Sequence, residues 1–448
     1  MVREKIDLSG LVRKTLNTAY IIPSCIWERH MPWAPPLVTH VLQQIRVRHM
    51  IRHAWKHVPF YRDAMRERGL SPADFRRPED LRFLPLISNE EFRKDPSIFN
   101  SDKIDTGGDM LMRAGNYKKI YWSRRAALQW FARISRSRAV VNSLLGKNSG
   151  YVEVYVQPVE DCNHTMNRFW GENLLFRSRA SGVHRLNIND PYIDTLQRLN
   201  DIRPDIVYCY GSHTEQFFRY IHKNQLDLHA PKIWIYGSDM MSPGMRGFIE
   251  EQYGCLVYSS YNMNEMGAFS FECENRNGFH LNSDACYSRL INEKGENIPD
   301  GDTGEVVISN LVNKATVILN YRTGDRARMS KEPCSCGRNL PLLQELQGRI
   351  CDTIYCVDGI DISYAVLATP SGEMLAKVRN FQVVQESRGH ICWTLVPFPD
   401  TNRDEIASGL GSVAAGIFSP PNKIEFRWVD DIEVTPGQKR KFVIHRFK

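Results

Sequence analysis

Two loops of this 448-residue chain carry the residue types of a zinc site. Cys334 and Cys336 flank one serine in a Cys-Ser-Cys-Gly run, and Cys273 and His280 lie on an earlier loop. A Cys-x-Cys turn lets two thiolates meet one ion, and the earlier loop would complete a tetrahedral site. Four protein ligands leave no open position, so the ion would be structural. The alternative is that these residues are unrelated buried thiols and a loop histidine.

An acidic residue on a glycine turn is the second chemical feature. Asp325 follows Gly324 in the Tyr-Arg-Thr-Gly-Asp run at 321–325. An ionised aspartate only accepts hydrogen bonds, which suits the two neighbouring hydroxyls of a ribose. By itself this pattern describes any turn with an aspartate. It becomes part of a larger set together with the Tyr-Asn-Met-Asn-Glu-Met-Gly run at 261–267 and the Gly-Arg pair at 348–349.

Short β-rich runs must position these loops. The runs cover 151–156, 206–210, 233–236 and 256–258, and most of them continue directly into Gly or Ser and then a helical stretch. Strands that alternate with helices predict an α/β fold, in which the loops at the carboxyl ends of the strands bind ligands. Antiparallel strands are expected at 304–308 and 315–319.

The two ends of the chain differ from this central part. Apolar residues at helical spacing predict one amphipathic helix over 38–58, and proline-started turns after Ser71 and Arg77 predict short helices, so residues 1–100 are mostly helical. After about residue 349, strands are expected near 353–357, 381–384, 391–395 and 423–429, with a helix near 403–414. The sequence therefore predicts an α/β protein with a large multi-layer amino-terminal domain, 1–348, and a small α+β carboxyl-terminal domain, 349–448.

Composition excludes several classes of protein. Apolar residues at 42% and charged residues at 24% exclude long disorder and a small disulfide scaffold. No apolar run is long enough to span a membrane, and the chain starts without a signal-peptide pattern, so we expect a cytoplasmic protein whose 11 cysteines are reduced or bind metal. The first 150 residues hold 27 basic and 14 acidic residues. The basic residues are dispersed among apolar positions, and this pattern favours a solvated basic face over a nucleic-acid-binding surface.

Six motifs in a fixed order give the chain a specific resemblance. They lie at 236–239, 261–267, 304–308, 321–325, 348–349 and 437–439. In this order they resemble the motifs of the adenylate-forming (acyl- and aryl-coenzyme A synthetase) superfamily. The His-Val-Pro-Phe-Tyr run at 57–61 and the Cys-Ser-Cys-Gly-Arg run at 334–338 are typical of its branch of phenylacetate–coenzyme A ligases and capsular-polysaccharide adenylyltransferase-like proteins. The similarity extends over about residues 45–446.

The resemblance implies a role for each matched residue. The amino-terminal domain, 1–348, would hold ATP and a carboxylic acid. The carboxyl-terminal domain, 349–448, would be a mobile lid domain that changes position between two half-reactions. Glu265 would hold the Mg²⁺ that bridges the ATP phosphates, and Lys439 of the lid, with Lys441 as its rival, would contact the acid carboxylate and the α-phosphate. The residues implied for the nucleotide are Gly237, Ser238, Tyr261, Asn264, Asp325 and Arg349. Asp352 would lie at the hinge between the domains.

The acid pocket and the phosphate loop are less regular. The pocket would be lined by Tyr210, Gly211 and Tyr236, although alternation along a strand lets one set of tyrosines face the core instead. Residues 110–119 occupy the place of the family's Ser-, Thr- and Gly-rich phosphate loop. The candidates there are Arg113, Gly115, Lys118 and Lys119, with the Thr-Gly-Gly run at 106–108 as the alternative. Asn264 stands where the family has threonine, and an amide still donates to a phosphate.

The resemblance predicts an AMP-producing ligase that activates an aryl or small organic acid as its acyl-adenylate and transfers the acyl group to a thiol, with coenzyme A as the first choice. Two alternatives stay open. One is transfer to an amine or a carrier protein in a biosynthetic pathway, and the other is a non-catalytic binding protein of the same fold. The expected partners are the acid and ATP, without nucleic acid or membrane. The oligomeric state is open and includes a homodimer.

Overall fold

The computed structural model of the chain describes residues 8–106, 109–114, 118–158, 180–241, 243–349, 353–357, 362–363, 371, 374–375, 377–418, 420–432 and 442–447. No helix in these segments combines the length and the apolar character needed to cross a membrane. The elements form a mixed α/β protein with a helical start, a large amino-terminal part and a small carboxyl-terminal part, in agreement with the predicted fold class.

Helices dominate the start of the chain. They are α1 (Leu8–His30), α2 (Pro36–His57), α3 (Pro59–Glu67) and α4 (Asn89–Lys94). Proline is tolerated in a first helical turn because it has no N–H to leave unpaired, and α2 and α3 both begin on a proline. The predicted helix over 38–58 is α2. The short helices predicted after Ser71 and Arg77 are single 3₁₀ segments, Pro72–Asp74 and Pro78–Phe83.

A hairpin and two helices follow. The strands are β1 (Met110–Ala114) and β2 (Lys118–Trp122), which pair antiparallel, and the helices are α5 (Arg124–Arg133) and α6 (Ser135–Leu145). Met112 and Ile120 of the hairpin are buried. The segment predicted as the phosphate loop is therefore a β-hairpin packed on the core through alternate side chains.

The central sheet is parallel and has the order β4-β3-β5-β6-β7. Its strands are β3 (Tyr151–Gln157), β4 (Ala180–Asn187), β5 (Ile206–Tyr210), β6 (Ile233–Gly237) and β7 (Leu256–Ser260). The connecting helices are α7 (Tyr192–Ile202), α8 (Gly211–Lys223) and α9 (Pro243–Tyr253). The four β-rich runs of the sequence all lie in this sheet. Their carboxyl ends, and the loops that follow them, therefore share one edge.

Both faces of the parallel sheet are covered. On one side, Ile206 and Ile233 pack with α6; this is the α6 face. On the other side, Val207 and Trp234 pack with α7, α8 and α9; this is the α8 face. Successive side chains of a strand point to opposite faces, so this assignment fixes the direction of every other side chain in the sheet.

A six-stranded antiparallel sheet with the order β10-β11-β12-β13-β9-β8 adjoins the parallel one. Its strands are β8 (Ser270–Glu272), β9 (Phe279–Leu281), β10 (Cys286–Ile291), β11 (Thr303–Asn310), β12 (Tyr321–Met329) and β13 (Leu342–Arg349). The strand predicted at 304–308 is β11. Asp325 lies within β12, directly opposite Arg349 of β13.

The strand predicted at 315–319 is wrong. Thr316 makes one isolated bridge with Asn100, and no ladder continues from it in the described residues. The Tyr61 hydroxyl accepts a hydrogen bond from the Leu319 N–H at 2.9 Å and donates one to the Val317 carbonyl at 3.1 Å. The Tyr61 hydroxyl thus pairs two backbone groups of the run, and the Thr316 and Val317 N–H groups donate to carbonyls of two other segments. With its backbone bonds divided among several partners, the apolar run crosses the core as an irregular segment.

The small carboxyl-terminal part has its own core and a four-stranded sheet with the order β18-β17-β16-β19. A two-stranded ribbon, β14 (Thr353–Ile354) and β15 (Ile362–Ser363), precedes β16 (Val378–Ser387), β17 (His390–Pro397), α10 (Arg403–Ile417), β18 (Lys423–Trp428) and β19 (Val443–His445). The predicted strands and helix lie within these elements, except that the strand expected at 353–357 is only two residues long. We call this small carboxyl-terminal part the lid.

The lid is seated on α8 of the large part. The Arg219 guanidinium donates to the Leu375 carbonyl, and both residues are buried. The Lys223 ammonium lies 2.7 Å from a carboxylate oxygen of Asp400 and 3.7 Å from the ring centroid of Phe398. We call these contacts of Arg219 and Lys223 the seat of the lid. Helix α8 begins at the carboxyl edge of the parallel sheet, so one helix connects that edge to the seat of the lid.

Candidate active site

Two glycines at the carboxyl edge let neighbouring backbones approach closely. A Cβ on Gly211 would lie 2.7 Å from the Asp239 carbonyl oxygen, and a Cβ on Gly237 would lie 3.1 Å from that of Ser260. The first distance is below any real Cβ contact, so the loop after β6 passes directly over the start of α8. The predicted residues Gly211 and Gly237 are therefore neighbours at this edge.

The loop after β6 turns sharply at Ser238, whose φ is +67°. The Asp239 N–H donates to the Gly237 carbonyl at 2.8 Å, and the Asp239 carboxylate accepts the Ser212 N–H at 3.1 Å. A non-glycine residue with positive φ is uncommon and is held here by these bonds on both sides. Ser238 itself is exposed at the edge, as a residue that borders a ligand must be.

The structure joins two residues that the sequence separates widely. The Tyr261 hydroxyl donates to Oδ2 of Asp325 at 2.8 Å. The Tyr261 ring packs edge-on against Phe269, with centroids 5.0 Å apart, and the Asp325 N–H donates to the Thr323 hydroxyl at 3.0 Å. Both side chains are half-buried. Two of the residues predicted for the nucleotide thus form one hydrogen-bonded pair beside the Gly237 turn.

The loop that carries Glu265 is tied to the hairpin β1–β2. The Trp122 indole N–H donates to the Asn264 carbonyl at 3.1 Å, and a Cβ on Gly267 would lie 2.9 Å from the Trp130 ring. Glu265 is only 6% exposed, and the Asn310 amide donates to its carbonyl at 3.3 Å. The predicted Mg²⁺ ligand therefore lies on a loop clamped between the two tryptophans.

The other predicted site residues are less fully described. On the hairpin, the backbones of Arg113 and Lys119 pair with each other, and the Lys119 side chain is exposed. Of Lys118 and Arg349 the structure describes the backbone only. Three predicted residues, Gly115, Asp352 and Lys439, lie outside the described residues, as does Lys441.

The predicted acid pocket is divided by the sheet. Tyr210 lies on the α6 face with Tyr208, whereas Tyr236 packs with the apolar core of the α8 face. The side chains of Tyr210 and Tyr236 therefore do not line one pocket, because their strands pair Tyr210 with Gly237 and so put Tyr236 on the opposite side. Tyr236, which was predicted to line the pocket, packs against the apolar core instead.

A polar group on the α6 face was missed by the sequence analysis. The Tyr155 and Tyr208 rings stack with centroids 4.5 Å apart at 6°, and the Tyr155 hydroxyl donates to Glu153 at 3.1 Å. Arg138 of α6 pairs with the same carboxylate. Burial raises the pKa of both tyrosines well above the ordinary value, so their hydroxyls stay protonated. Alternation in β3, which puts Glu153 on one face with Tyr151 and Tyr155, was the available signal.

The four predicted zinc ligands come together. The ligand atoms of Cys273, His280, Cys334 and Cys336 all lie within 4.8 Å of one another. The Cys336 sulfur is 3.3 Å from His280 Nε2, and Nδ1 of the same ring is 3.4 Å from the Leu340 carbonyl oxygen. Burial lowers the pKa of His280 to about 4, so the ring is neutral at physiological pH, as a metal ligand must be. The donor set of three sulfurs and one nitrogen fits Zn²⁺.

Curated relatives of the chain include phenylacetate–coenzyme A ligases and Protein CapK. The phenylacetate–coenzyme A ligase of Thermus thermophilus is 23% identical over 349 residues, which are 75% of this chain and 76% of the relative. Protein CapK of Staphylococcus aureus is 23% identical over 421 residues, which are 91% of this chain and 89% of the relative. No protein-family model matches the chain.

The fold is that of solved acyl-adenylate-forming enzymes. The structure of 2-hydroxyisobutyryl-CoA ligase in the postadenylation state has a TM-score of 0.73 and 20% identity, and the match covers 93% of this chain and 91% of that one. The same ligase in the thioesterification state, with 2-HIB-AMP and CoA, has a TM-score of 0.58 over the same shares. The arrangement of the large part and the lid is therefore nearer to the postadenylation state.

Proposed function

We propose that this chain, which belongs to the adenylate-forming superfamily and to its phenylacetate–coenzyme A ligase-like branch, uses ATP to activate a carboxylic acid as its acyl-adenylate and transfers the acyl group to coenzyme A. The observation that carries the proposal is the bonded pair Tyr261–Asp325 beside the Gly237–Ser238 turn. These residues come from two sheets and meet at the carboxyl edge, where open α/β folds bind ligands.

The roles in adenylation follow from charge. An acid carboxylate that attacks the α-phosphate is an anion approaching an anion, so positive charge must be present in the transition state. Bound Mg²⁺ supplies part of that charge, and the carboxylate of Glu265 is the hard oxygen ligand it prefers. Asp325 accepts the ribose hydroxyls, Tyr261 holds that carboxylate in place, and Arg349 assists. Lys439 supplies the second positive charge from the lid.

Two half-reactions require two positions of the lid, with Asp352 as the proposed hinge and 349 as the boundary. The better match to the postadenylation state than to the thioesterification state, 0.73 against 0.58, supports an arrangement suited to adenylation. Coenzyme A is the proposed acceptor because the ligases among the relatives are named for it. An amine or a carrier protein is the second candidate, and product analysis with and without coenzyme A separates the two.

Equilibrium binding of Mg-ATP tests the nucleotide site without a guess at the acid. Asp325→Ala should weaken binding at least tenfold, because the ribose loses hydrogen bonds to a charged acceptor that are each worth about 1.5–3 kcal/mol. Tyr261→Phe should have a smaller effect, since it keeps the ring and loses one hydroxyl. Asp302→Ala, at an exposed loop position, is the matched control and should bind as the wild type does.

Two results would contradict the proposal. Equal binding by wild type and Asp325→Ala would remove the ribose role of Asp325. Failure of the folded wild type to bind Mg-ATP would favour a non-catalytic protein of the same fold, in keeping with a phosphate loop that lacks the family's small hydroxyl residues.

We also propose that Cys273, His280, Cys334 and Cys336 hold one structural Zn²⁺. The cluster joins the loop after β8 and strand β9, where His280 lies rather than on the expected loop, to the loop before β13. Four protein ligands leave no position for a reacting water. The carbonyl of Leu340 near Nδ1 would orient the ring, a common arrangement for metal-bound histidine. Elemental analysis should find one zinc per chain.

Cys334→Ser should lose the zinc and lower the melting temperature, because metal binding contributes directly to folding free energy. Cys255→Ser is the matched control: Cys255 is also buried, but it packs in the apolar core of the α8 face and is not one of the four clustered residues, so this variant should retain the metal. A wild-type chain that purifies without zinc and cannot be loaded with it would remove this proposal without affecting the nucleotide site.

A further inference from the structure

The α6 face of the parallel sheet opens toward its carboxyl edge. Near the amino ends of the strands its residues are buried, among them Glu153, Ile206 and Ile233. Two residues further along, Tyr155, Tyr208 and Ile235 are only partly buried. The strand pairing puts these three in one row across the sheet. Within two residues along each strand, the α6 face therefore changes from packed core to a partly accessible surface, which we call the wall.

This wall lies directly below the proposed nucleotide site. Tyr210 and Gly237 form the next row toward the edge, on the same face and two residues beyond Tyr208 and Ile235. Two residues of a strand span about 7 Å, a distance that one aromatic ring can fill. An acid whose carboxyl group lies beside Gly237 would thus direct its far end toward Tyr208.

The chemistry at this depth is polar but electrically balanced. Arg138 and Glu153 form an ion pair, and the Tyr155 hydroxyl donates to the same carboxylate at 3.1 Å. The Tyr208 ring stacks on Tyr155, and its hydroxyl makes no hydrogen bond with any described residue. A balanced pair does not call for a second charge on the acid, because an additional buried anion would be uncompensated. An uncharged oxygen is the partner that suits an unused hydroxyl.

We infer that the acid is an aryl acid with a neutral oxygen substituent, best served by a hydroxyl, on the ring end remote from its carboxyl group, and that Tyr208 determines this preference. The inference rests on the proposed function and names its substrate class. Stacked Tyr155 and Tyr208 supply a flat surface for the ring, and the Tyr208 hydroxyl bonds the substituent. A ring without the substituent would leave that hydroxyl unpaired in a desolvated pocket, which is the basis of strong discrimination.

The test is the affinity of two non-hydrolysable acyl-adenylate analogues, 4-hydroxyphenylacetyl-sulfamoyladenosine and phenylacetyl-sulfamoyladenosine. Binding of these probes needs no turnover. We expect the hydroxylated analogue to bind wild type about threefold to tenfold more tightly, the gain that one satisfied neutral hydrogen bond gives. In Tyr208→Phe the ratio of the two affinities should fall to about one. Tyr287→Phe, a tyrosine on the antiparallel sheet, is the matched control and should keep the wild-type ratio.

Each of the remaining outcomes would overturn a specific part of the inference. Equal binding of both analogues to wild type would overturn the substrate class and leave the acyl-adenylate site in place. A preference that persists in a folded Tyr208→Phe would overturn the role of Tyr208. Binding of neither analogue to the folded wild type would overturn the proposed function together with this inference. Thermal melting of each variant establishes that it is folded.

Discussion

At the scale of single residues, the largest effect is expected at Lys439. A lysine that meets the acid carboxylate and the α-phosphate stabilises charge only during adenylation, and removal of one such preorganised group costs roughly a hundredfold to a thousandfold in rate. Lys439→Ala should therefore slow pyrophosphate release by that factor. Thioester formation from synthetic acyl-adenylate and coenzyme A should be retained, because in that step no nucleophile attacks the α-phosphate.

Lys441→Ala is the matched control for this prediction, since Lys441 lies two positions away on the same segment. It should leave both half-reactions close to wild type. If Lys441→Ala instead loses adenylation and Lys439→Ala does not, the two assignments exchange. Loss of both half-reactions in Lys439→Ala would show a structural role for this lysine.

Residue types and spacing predicted the cluster of His280 with three cysteines, whose ligand atoms lie together in the structure. The family resemblance put Tyr261 and Asp325 in one nucleotide site, but their direct hydrogen bond was not predicted. Each of these groups consists of polar residues whose chemistry demands a partner. The ion pair Arg138–Glu153 was not predicted. Arg138 lies on a helix and Glu153 on a strand, and the local sequence around either residue does not indicate that the other is its partner.

At the scale of elements, Gly211 is the position where one added carbon should matter most. Its Cβ would collide with backbone atoms of Asp239, Met240 and Met241 at 2.7–2.8 Å, and backbone moves only if the whole loop moves. Gly211→Ala should displace the loop that carries Ser238, weaken Mg-ATP binding and lower the free energy of unfolding by about 1–3 kcal/mol, the range for overpacking. Titration with Mg-ATP and denaturant unfolding measure the two effects.

Gly247→Ala is the matched control for Gly211→Ala, because both glycines belong to helices. Nothing lies within 4 Å of its Cβ position, and it stands inside α9. This substitution should stabilise the protein by about 0.4–1 kcal/mol, because alanine loses less backbone entropy on folding. Equal effects of the two substitutions would mean that the contact at Gly211 is not the cause.

Strands were predictable where hydrophobic pattern and loop chemistry agreed. All four predicted runs are rich in apolar residues, three of them continue directly into Gly or Ser, and a parallel sheet buries both faces. The run at 315–319 has the same apolar pattern but no partner strand, because the Tyr61 hydroxyl and single backbone groups of several other segments satisfy its backbone. Local sequence cannot distinguish a ladder from a distant hydroxyl as the hydrogen-bond partner, so this error is one of tertiary context.

At the scale of the whole molecule, the chain is a large part and a lid that meet on α8. Sequence motifs indicated that both parts exist, since each has its own apolar pattern and its own core. They did not indicate where the lid is seated. The contacts of Arg219 with Leu375 and of Lys223 with Asp400 join residues more than 150 positions apart, and neither segment has a pattern that specifies the other.

The seat of the lid should control the balance between the two half-reactions. The Lys223 ammonium contacts both Asp400 and the Phe398 ring, and a lid that rotates away from the adenylation arrangement must break these contacts. Exposed ion pairs contribute about 0.2–1 kcal/mol and a cation–π contact about 0.5–1 kcal/mol. Lys223→Ala should therefore slow adenylate formation by a few-fold and leave thioester formation from synthetic acyl-adenylate unchanged or faster.

The ratio of the two half-reaction rates is the quantity that tests this seat. A substitution that only weakened the fold would lower both rates together, whereas loss of the seat changes one relative to the other. Lys232→Ala, at another exposed lysine of the large part, should keep the wild-type ratio. If Lys223→Ala also keeps it, the contacts of Lys223 do not favour the adenylation arrangement, and the buried bond from Arg219 becomes the remaining candidate for that role.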